Sequence, residues 1–228
     1  ATDGLIHLST RMCPQHRLDV LTEVRARLRN KEGVCRVVAT QLVEAGVDLD
    51  FPVVLRAMGP LDSIAQAAGR CDREGLMTAK AGAPAGRVVV FEPEVGREES
   101  TPPGAYRAAT EITRQMTRGG SVSIQDMNHI RGYFNRYYQT DLDPNTIEPL
   151  RRKLDFREVD ERFKIINDCT IAVMVPYNGE ATELIRGLEH GGMPDMRCFR
   201  RLQRYQVGLY QREFDEAPNG IIGLETAF

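Results

Sequence analysis

No run of eighteen apolar residues occurs in this 228-residue sequence, and no basic-then-apolar leader opens it. A membrane span and a secretory signal are therefore not expected. Cysteine is sparse and scattered: Cys13, Cys35, Cys71, Cys169 and Cys198 are odd in number and form no Cys-x-x-Cys pair. That pattern excludes a zinc ribbon and a disulfide framework, and it fits a reducing, cytoplasmic setting. His7, His16, His129 and His190 are as dispersed, none beside an Asp, so no converging ligand set for metal-centred hydrolysis is expected. No G-x-x-x-x-G-K-[ST] is present, which removes the loop that cradles nucleotide phosphates. Two partial motifs also fail. Asp160-Glu161 comes after residues too charged for a buried parallel strand. Asp141-x-Asp143-x-Asn145 opens like a calcium loop, but Thr146 replaces the required Gly and Arg152 the closing Glu.

What is present describes a globular chain with 42% apolar and 27% charged residues, long enough to bury a core without staples. Its 30 cationic side chains against 32 anionic ones give a net charge of −2, so bulk charge does not announce a nucleic-acid binder. The kind of cation is less balanced. Only Lys31, Lys80, Lys153 and Lys164 are lysines, leaving 26 arginines, whose planar fork suits phosphate and carboxylate.

The first 95 residues alternate strand and helix patterns, as a parallel sheet requires. Strands are expected at 5–8, 35–39, 52–55 and 87–91. A helix is expected from Pro14, with Leu18, Leu21 and Leu28 at helical spacing and Gly33 closing it, and another over 61–73. A stretch rich in Glu, Pro and Gly from Glu92 to Gly104 reads as a linker. Domains are thus expected at 1–95 and 105–228, joined over 96–104. The second half reads as helices at 105–118, 124–138, 180–189 and 194–216, with a strand-like run at 163–177 and a short strand at 221–224. The fold class is α/β, an incomplete lobe with a parallel sheet followed by a smaller, mostly helical α+β domain.

Two motifs carry chemistry. Thr40-Gln41-Leu42-Val43-Glu44-Ala45-Gly46-Val47-Asp48 comes directly after a strand end, where ligands bind in open α/β sheets. Gly46 permits close backbone approach, and Asp48 offers a carboxylate able to accept from a ribose hydroxyl. Eighteen residues after Asp48 comes Gln66-Ala67-Ala68-Gly69-Arg70-Cys71-Asp72-Arg73. On a continued helix, Gln66, Arg70 and Arg73 would share one face, aiming an amide and two guanidinium groups at a phosphate. Near the C-terminus Arg197, Arg200, Arg201 and Arg204 fall at i, i+3, i+4, i+7, beside an apolar stripe of Phe199, Leu202, Tyr205 and Leu209.

The pattern T-x-x-x-x-x-G-x-D, then Q-x-x-G-R-x-x-R, resembles motifs V and VI of superfamily 2 helicases, and Ser9-Thr10-Arg11 resembles the residues just after motif IV. The wording of residues 61–75, together with 156–168 and 200–210, resembles the C-terminal half of the CRISPR-associated helicase–nuclease of type I systems. That resemblance covers essentially the whole sequence.

The resemblance implies a second RecA-like lobe and a C-terminal domain of an ATP-driven single-stranded DNA translocase that degrades Cascade-bound DNA. It implies Arg73 as an arginine finger, Arg70 as a second γ-phosphate contact and Gln66 as their partner. Gly46, Asp48 and Gly69 would lie at the nucleotide. Thr40, Gln41, Ser9 and Arg11 would hold the DNA backbone, and Arg197, Arg200, Arg201 and Arg204 would line its channel. ATP would bind between this lobe and a first lobe. The phosphate loop, the Mg²⁺-holding acidic motif and the nuclease domain would lie outside the sequence, consistent with Ala1 in place of Met. This chain alone is expected to bind neither ATP nor metal and to be inactive. A non-catalytic DNA-binding or docking module acting in trans, and half of a restriction or repair helicase, are the other roles these residues allow.

Overall fold

Short apolar runs and amphipathic stretches alternate along the chain, and its elements track them. The computed structural model describes residues 4–30, 33–44, 46–75, 86–94, 101–140, 147–163, 170–189 and 195–216. In chain order the elements are β1 (Leu5–Leu8), α1 (Pro14–Asn30), β2 (Arg36–Ala39), a 3₁₀ turn (Gln41–Val43), β3 (Val53–Ala57), α2 (Leu61–Ala68) and β4 (Arg87–Phe91). Next come α3 (Ala105–Arg118), α4 (Met127–Tyr138), α5 (Ile147–Arg152), α6 (Phe156–Arg162), β5 (Thr170–Met174) and α7 (Gly179–Glu189). The described chain closes with α8 (Met196–Leu202), a 3₁₀ turn (Gln203–Tyr205), β6 (Gln206–Tyr210) and α9 (Gln211–Asp215). The α/β class expected from the sequence is the fold observed.

The chain divides into two compact units, Ala1–Leu42 with Asn167–Phe228, and Val43–Ile166. This differs from the division expected at 96–104. Glu92 receives a two-pronged bond from the buried Arg114, and Arg107 donates to the carbonyl of buried Thr101. The flanks of the Pro-rich stretch are thereby tied into one unit; residues 95–100 lie outside the described set.

In the first unit β1 and β2 pair in parallel, Leu5 opposite Arg36 through Leu8 opposite Ala39. Pro14 occupies the first turn of α1, where a missing N–H costs nothing, and Val24 is its buried contact. A second, antiparallel pair joins β5 to β6, from Thr170 opposite Tyr210 to Met174 opposite Gln206. Its core consists of Cys13, Ala181, Tyr205 and Val207, with Leu184 and Leu209 packed against them.

The helix expected over 194–216 is not continuous. After α8 and one 3₁₀ turn the chain straightens into β6, because Tyr205, Val207 and Leu209 alternate toward the apolar side, with Gly208 a poor helix residue between them. Arg197, Arg200 and Arg201 therefore share α8, while Arg204 sits in the turn. The expected run at 163–177 yields β5 alone among the described residues. The strand at 221–224 and the aborted calcium loop at 141–146 lie outside them.

In the second unit β3 and β4 pair in parallel, Val53 opposite Arg87 through Ala57 opposite Phe91. The parallel strands thus form two separate pairs. Leu61, Ala109, Ile112 and Tyr133 bring α2, α3 and α4 into one core, and the Tyr133 hydroxyl donates to Asp62 at 2.9 Å. The charged stretch around Asp160-Glu161 is helical, as α6, capped by the Asp155 carboxylate on the Glu158 amide.

Candidate nucleotide and nucleic-acid sites

All the candidates for a nucleotide site lie in the unit Val43–Ile166. The segment after Glu44 is held by alternation: Val47 and Leu49 are buried, so Gly46 and Asp48 face outward. Gly46 has φ +71°, a left-handed conformation that favours glycine.

The helix expected over 61–73 stops at Ala68. The Gly69 amide still bonds Ala65, but those of Arg70 and Cys71 bond three residues back, to Ala67 and Ala68, and tighten the turn. Phe51 then captures the chain: its N–H donates to the Arg70 carbonyl, and its own carbonyl accepts from Asp72. Gln66 stays exposed on α2, whereas Arg70 and Arg73 leave the helix, so the expected common face of all three is not formed.

The turn does bring the two motifs together, and it gives their arginines different work. Arg70 donates from Nε to the Val43 carbonyl at 3.1 Å and from Nη2 to the Glu44 carbonyl at 2.9 Å. Its fork is spent on main chain. Arg73 anchors its backbone N–H on the Asp50 carboxylate at 2.8 Å and reaches Asp48 through Nη1 at 2.5 Å. That last pair is open to solvent, with 41% of the arginine and 76% of the aspartate side chain exposed. An exposed guanidinium beside an exposed carboxylate suits a ligand carrying both a phosphate and a hydroxyl. Gly69 caps α2 at φ −64°. Gly86 admits the turn to the start of β4, since a Cβ there would lie 2.6 Å from the Asp72 Cβ and 2.9 Å from the Cys71 Sγ. Burial pushes the Cys71 thiol up from its ordinary pKa, aided by Asp50 and Asp72.

Three residues that sequence reasoning did not single out support this loop. Arg56 on β3 donates from Nη2 to Glu44 Oε1 at 2.8 Å and to the Tyr106 hydroxyl at 3.0 Å, and from Nη1 to the Ala57 carbonyl. The Arg56 and Glu44 side chains are only 16% and 12% exposed. The signal was a lone arginine inside the apolar strand Val-Val-Leu-Arg-Ala, since a buried charge needs a partner.

The candidates for nucleic acid lie in the other unit. Thr40 and Gln41 are placed just after β2. Ser9 is buried, its hydroxyl accepting from the Arg11 amide at 3.3 Å. Arg11 forks onto both Glu213 carboxylate oxygens, which raises its own pKa and lowers that of Glu213. Arg201 is likewise held by Glu180, at 2.9 and 2.7 Å, and Tyr205 donates to the other oxygen of that carboxylate at 2.9 Å. Arg201 first and Tyr205 second lower the Glu180 pKa. Arg197, Arg200 and Arg204 form no ion pair with a described residue. Among the described residues no three His, Cys, Asp or Glu side chains group as a metal site, and no helix is long and apolar enough to cross a membrane.

Residues 2–76, which contain every nucleotide-site candidate, match the family described as "CRISPR-associated nuclease/helicase Cas3, C-terminal". Over those residues the chain is similar to the Cas3 C-terminal family. A Cas3 nuclease/helicase of Haloferax volcanii is 48% identical over 54 residues, 24% of this chain and 6% of that protein. One from Methanothermobacter thermautotrophicus is 24% identical over 143 residues, covering 63% of the chain and 16% of the relative. The chain thus spans a small part of these Cas3 relatives. A crystal structure of T. fusca Cas3 with ATP superposes with a TM-score of 0.56 at 17% identity, covering 93% of this chain and 29% of that one, a likeness of fold. A chain of a CRISPR RNA-guided surveillance complex in its pre-nicking state gives 0.56 at 17%, covering 94% and 31%.

Proposed function

We propose that this chain supplies the second RecA-like lobe and the C-terminal domain of an ATP-dependent single-stranded DNA translocase and nuclease of type I CRISPR interference. The Arg73–Asp48 pair carries the reading. Here the two motifs meet at the surface, with a cation that is anchored through its backbone yet exposed at its fork. When ATP binds against this lobe, Arg73 exchanges Asp48 for the γ-phosphate and stabilises the charge that develops there, and Asp48 turns to the ribose. Arg70, with its fork on two main-chain carbonyls, positions the loop that bears Asp48 and is not itself the phosphate contact that motif resemblance implies. ATP supplies the free energy of translocation; its phosphate loop and Mg²⁺ ligands come from a first lobe.

Single-stranded DNA is the proposed track, held by Thr40, Gln41, Arg197, Arg200 and Arg204. Arg11, Arg201 and Ser9 are occupied within the protein and contribute to shape. The partner complex is Cascade, a reading supported by the structural relative within a surveillance complex. The purified chain, given ATP, Mg²⁺ and single-stranded DNA, is expected to release no phosphate and cut no DNA. Turnover by the chain alone overturns the assignment of half a site.

A further inference from the structure

Helix α4 presents an aromatic ladder that core packing only half explains. Tyr133 is buried, with its hydroxyl on Asp62. From it the rings climb outward. Phe134 meets it edge-on at 5.1 Å and Tyr137 lies parallel to it at 6.1 Å. Tyr138 stacks on Phe134 at 5.9 Å with 21° between the planes. Burial accounts for Tyr133 and for the inner edges of Phe134 and Tyr137. It does not account for Tyr138, which is 67% exposed, or for the cleft of about 210 Å³ beside the ladder, where Ser63 and Tyr106 supply polar groups.

The same helix supplies the charge. Arg131, Phe134, Asn135 and Tyr138 stand at i, i+3, i+4 and i+7, so one stripe alternates a cation, an amide and two ring faces. Arg131 and Arg136 make no ion pair with a described residue. The acid of the cleft, Asp62, already accepts from Tyr133.

We infer that the outer rings of α4, Phe134 and Tyr138, form a stacking platform for a base of single-stranded nucleic acid, with Arg131 on the adjoining phosphate. The inference rests on single-stranded DNA being the partner, and it adds a contact in the unit Val43–Ile166, where none of the arginines assigned to DNA lies. Ring faces accept any base, so the platform is independent of sequence. Proline-rich peptides also use aromatic clefts, but Arg131 on the same helical stripe as Phe134 and Tyr138 complements a polyanion.

The test is anisotropy of a labelled dT 20-mer with the chain across a salt series. Tyr138→Ser, at an exposed position that should not disturb folding, is expected to weaken binding about fivefold or more with an unchanged salt slope. Arg131→Gln is expected to flatten that slope by about 0.7. If both variants bind like the parent while Arg197→Gln/Arg200→Gln binds more weakly, the platform is overturned and the DNA partner stands. If the parent chain does not bind the oligonucleotide, both are overturned. A proline-rich peptide that binds the parent but not Tyr138→Ser, with DNA binding unaffected by the substitution, also overturns the platform.

Discussion

Arg70 and Arg73 stand three positions apart, and one motif treats them alike. Their surroundings do not. Arg70 holds two main-chain carbonyls, so Arg70→Ala should cost about 1.5–3 kcal/mol of stability, the usual range for bonds from a charged donor. Arg73→Ala breaks a solvent-exposed pair and should stay within about 1 kcal/mol of the parent. Urea unfolding of the two variants measures both. Equal losses would make Arg73 a structural residue and leave its fork no reason to be exposed. Residue identities at this site were legible in the sequence, since Asp48, Arg70 and Arg73 do converge. Their division of labour was not, because it depends on the main-chain path after Ala68, where a helical pattern runs on past the helix itself. Gly69 was the available signal, as a glycine often marks where a helix ends.

Among the elements, legibility tracked local pattern. Strands at 5–8 and 87–91 and the helix at 105–118 are found where expected, because apolar periodicity and flanking Gly or Pro decide them locally. The last stretch departs from expectation because Tyr205, Val207 and Leu209 satisfy a helical stripe and a strand alternation almost equally. Pairing with β5, distant in sequence, decides between them, and no local pattern records it. The network joining β3, α3 and the motif loop was signalled only by the arginine in β3, since its partners Glu44 and Tyr106 come from separate segments of the sequence. Its worth can be measured. Arg56→Met leaves the Glu44 carboxylate buried and unpaired and should cost about 3–5 kcal/mol, most of it recovered when Glu44→Leu is added. A double-mutant cycle read by thermal unfolding checks this; additive losses would show that the pair does not position the loop.

On the scale of the whole molecule, the candidate functions segregate. The residues proposed for the nucleotide belong to Val43–Ile166, and Arg197, Arg200 and Arg204, proposed for DNA, belong to the other unit, with the proposed α4 platform the one exception. The unit Ala1–Leu42 with Asn167–Phe228 is pinned by carboxylate–arginine pairs near the surface, Glu213 with Arg11 and Glu180 with Arg201. Both carboxylates have lowered pKa values in the folded chain, so their stabilisation is fully present above the ordinary carboxylate range and is lost as pH falls through the lowered values. The thermal midpoint should therefore decline on acidification, and Glu213→Gln with Glu180→Gln should flatten that decline. A decline unchanged by the two substitutions would place the acid sensitivity elsewhere. The central claim is that Arg73 completes an ATP site shared with a first lobe, and DNA-stimulated ATP hydrolysis by the full-length protein carrying Arg73→Ala tests it most directly. The account predicts loss of stimulated hydrolysis by a factor of about 10³ or more with ATP binding retained; hydrolysis at the parent rate would contradict it.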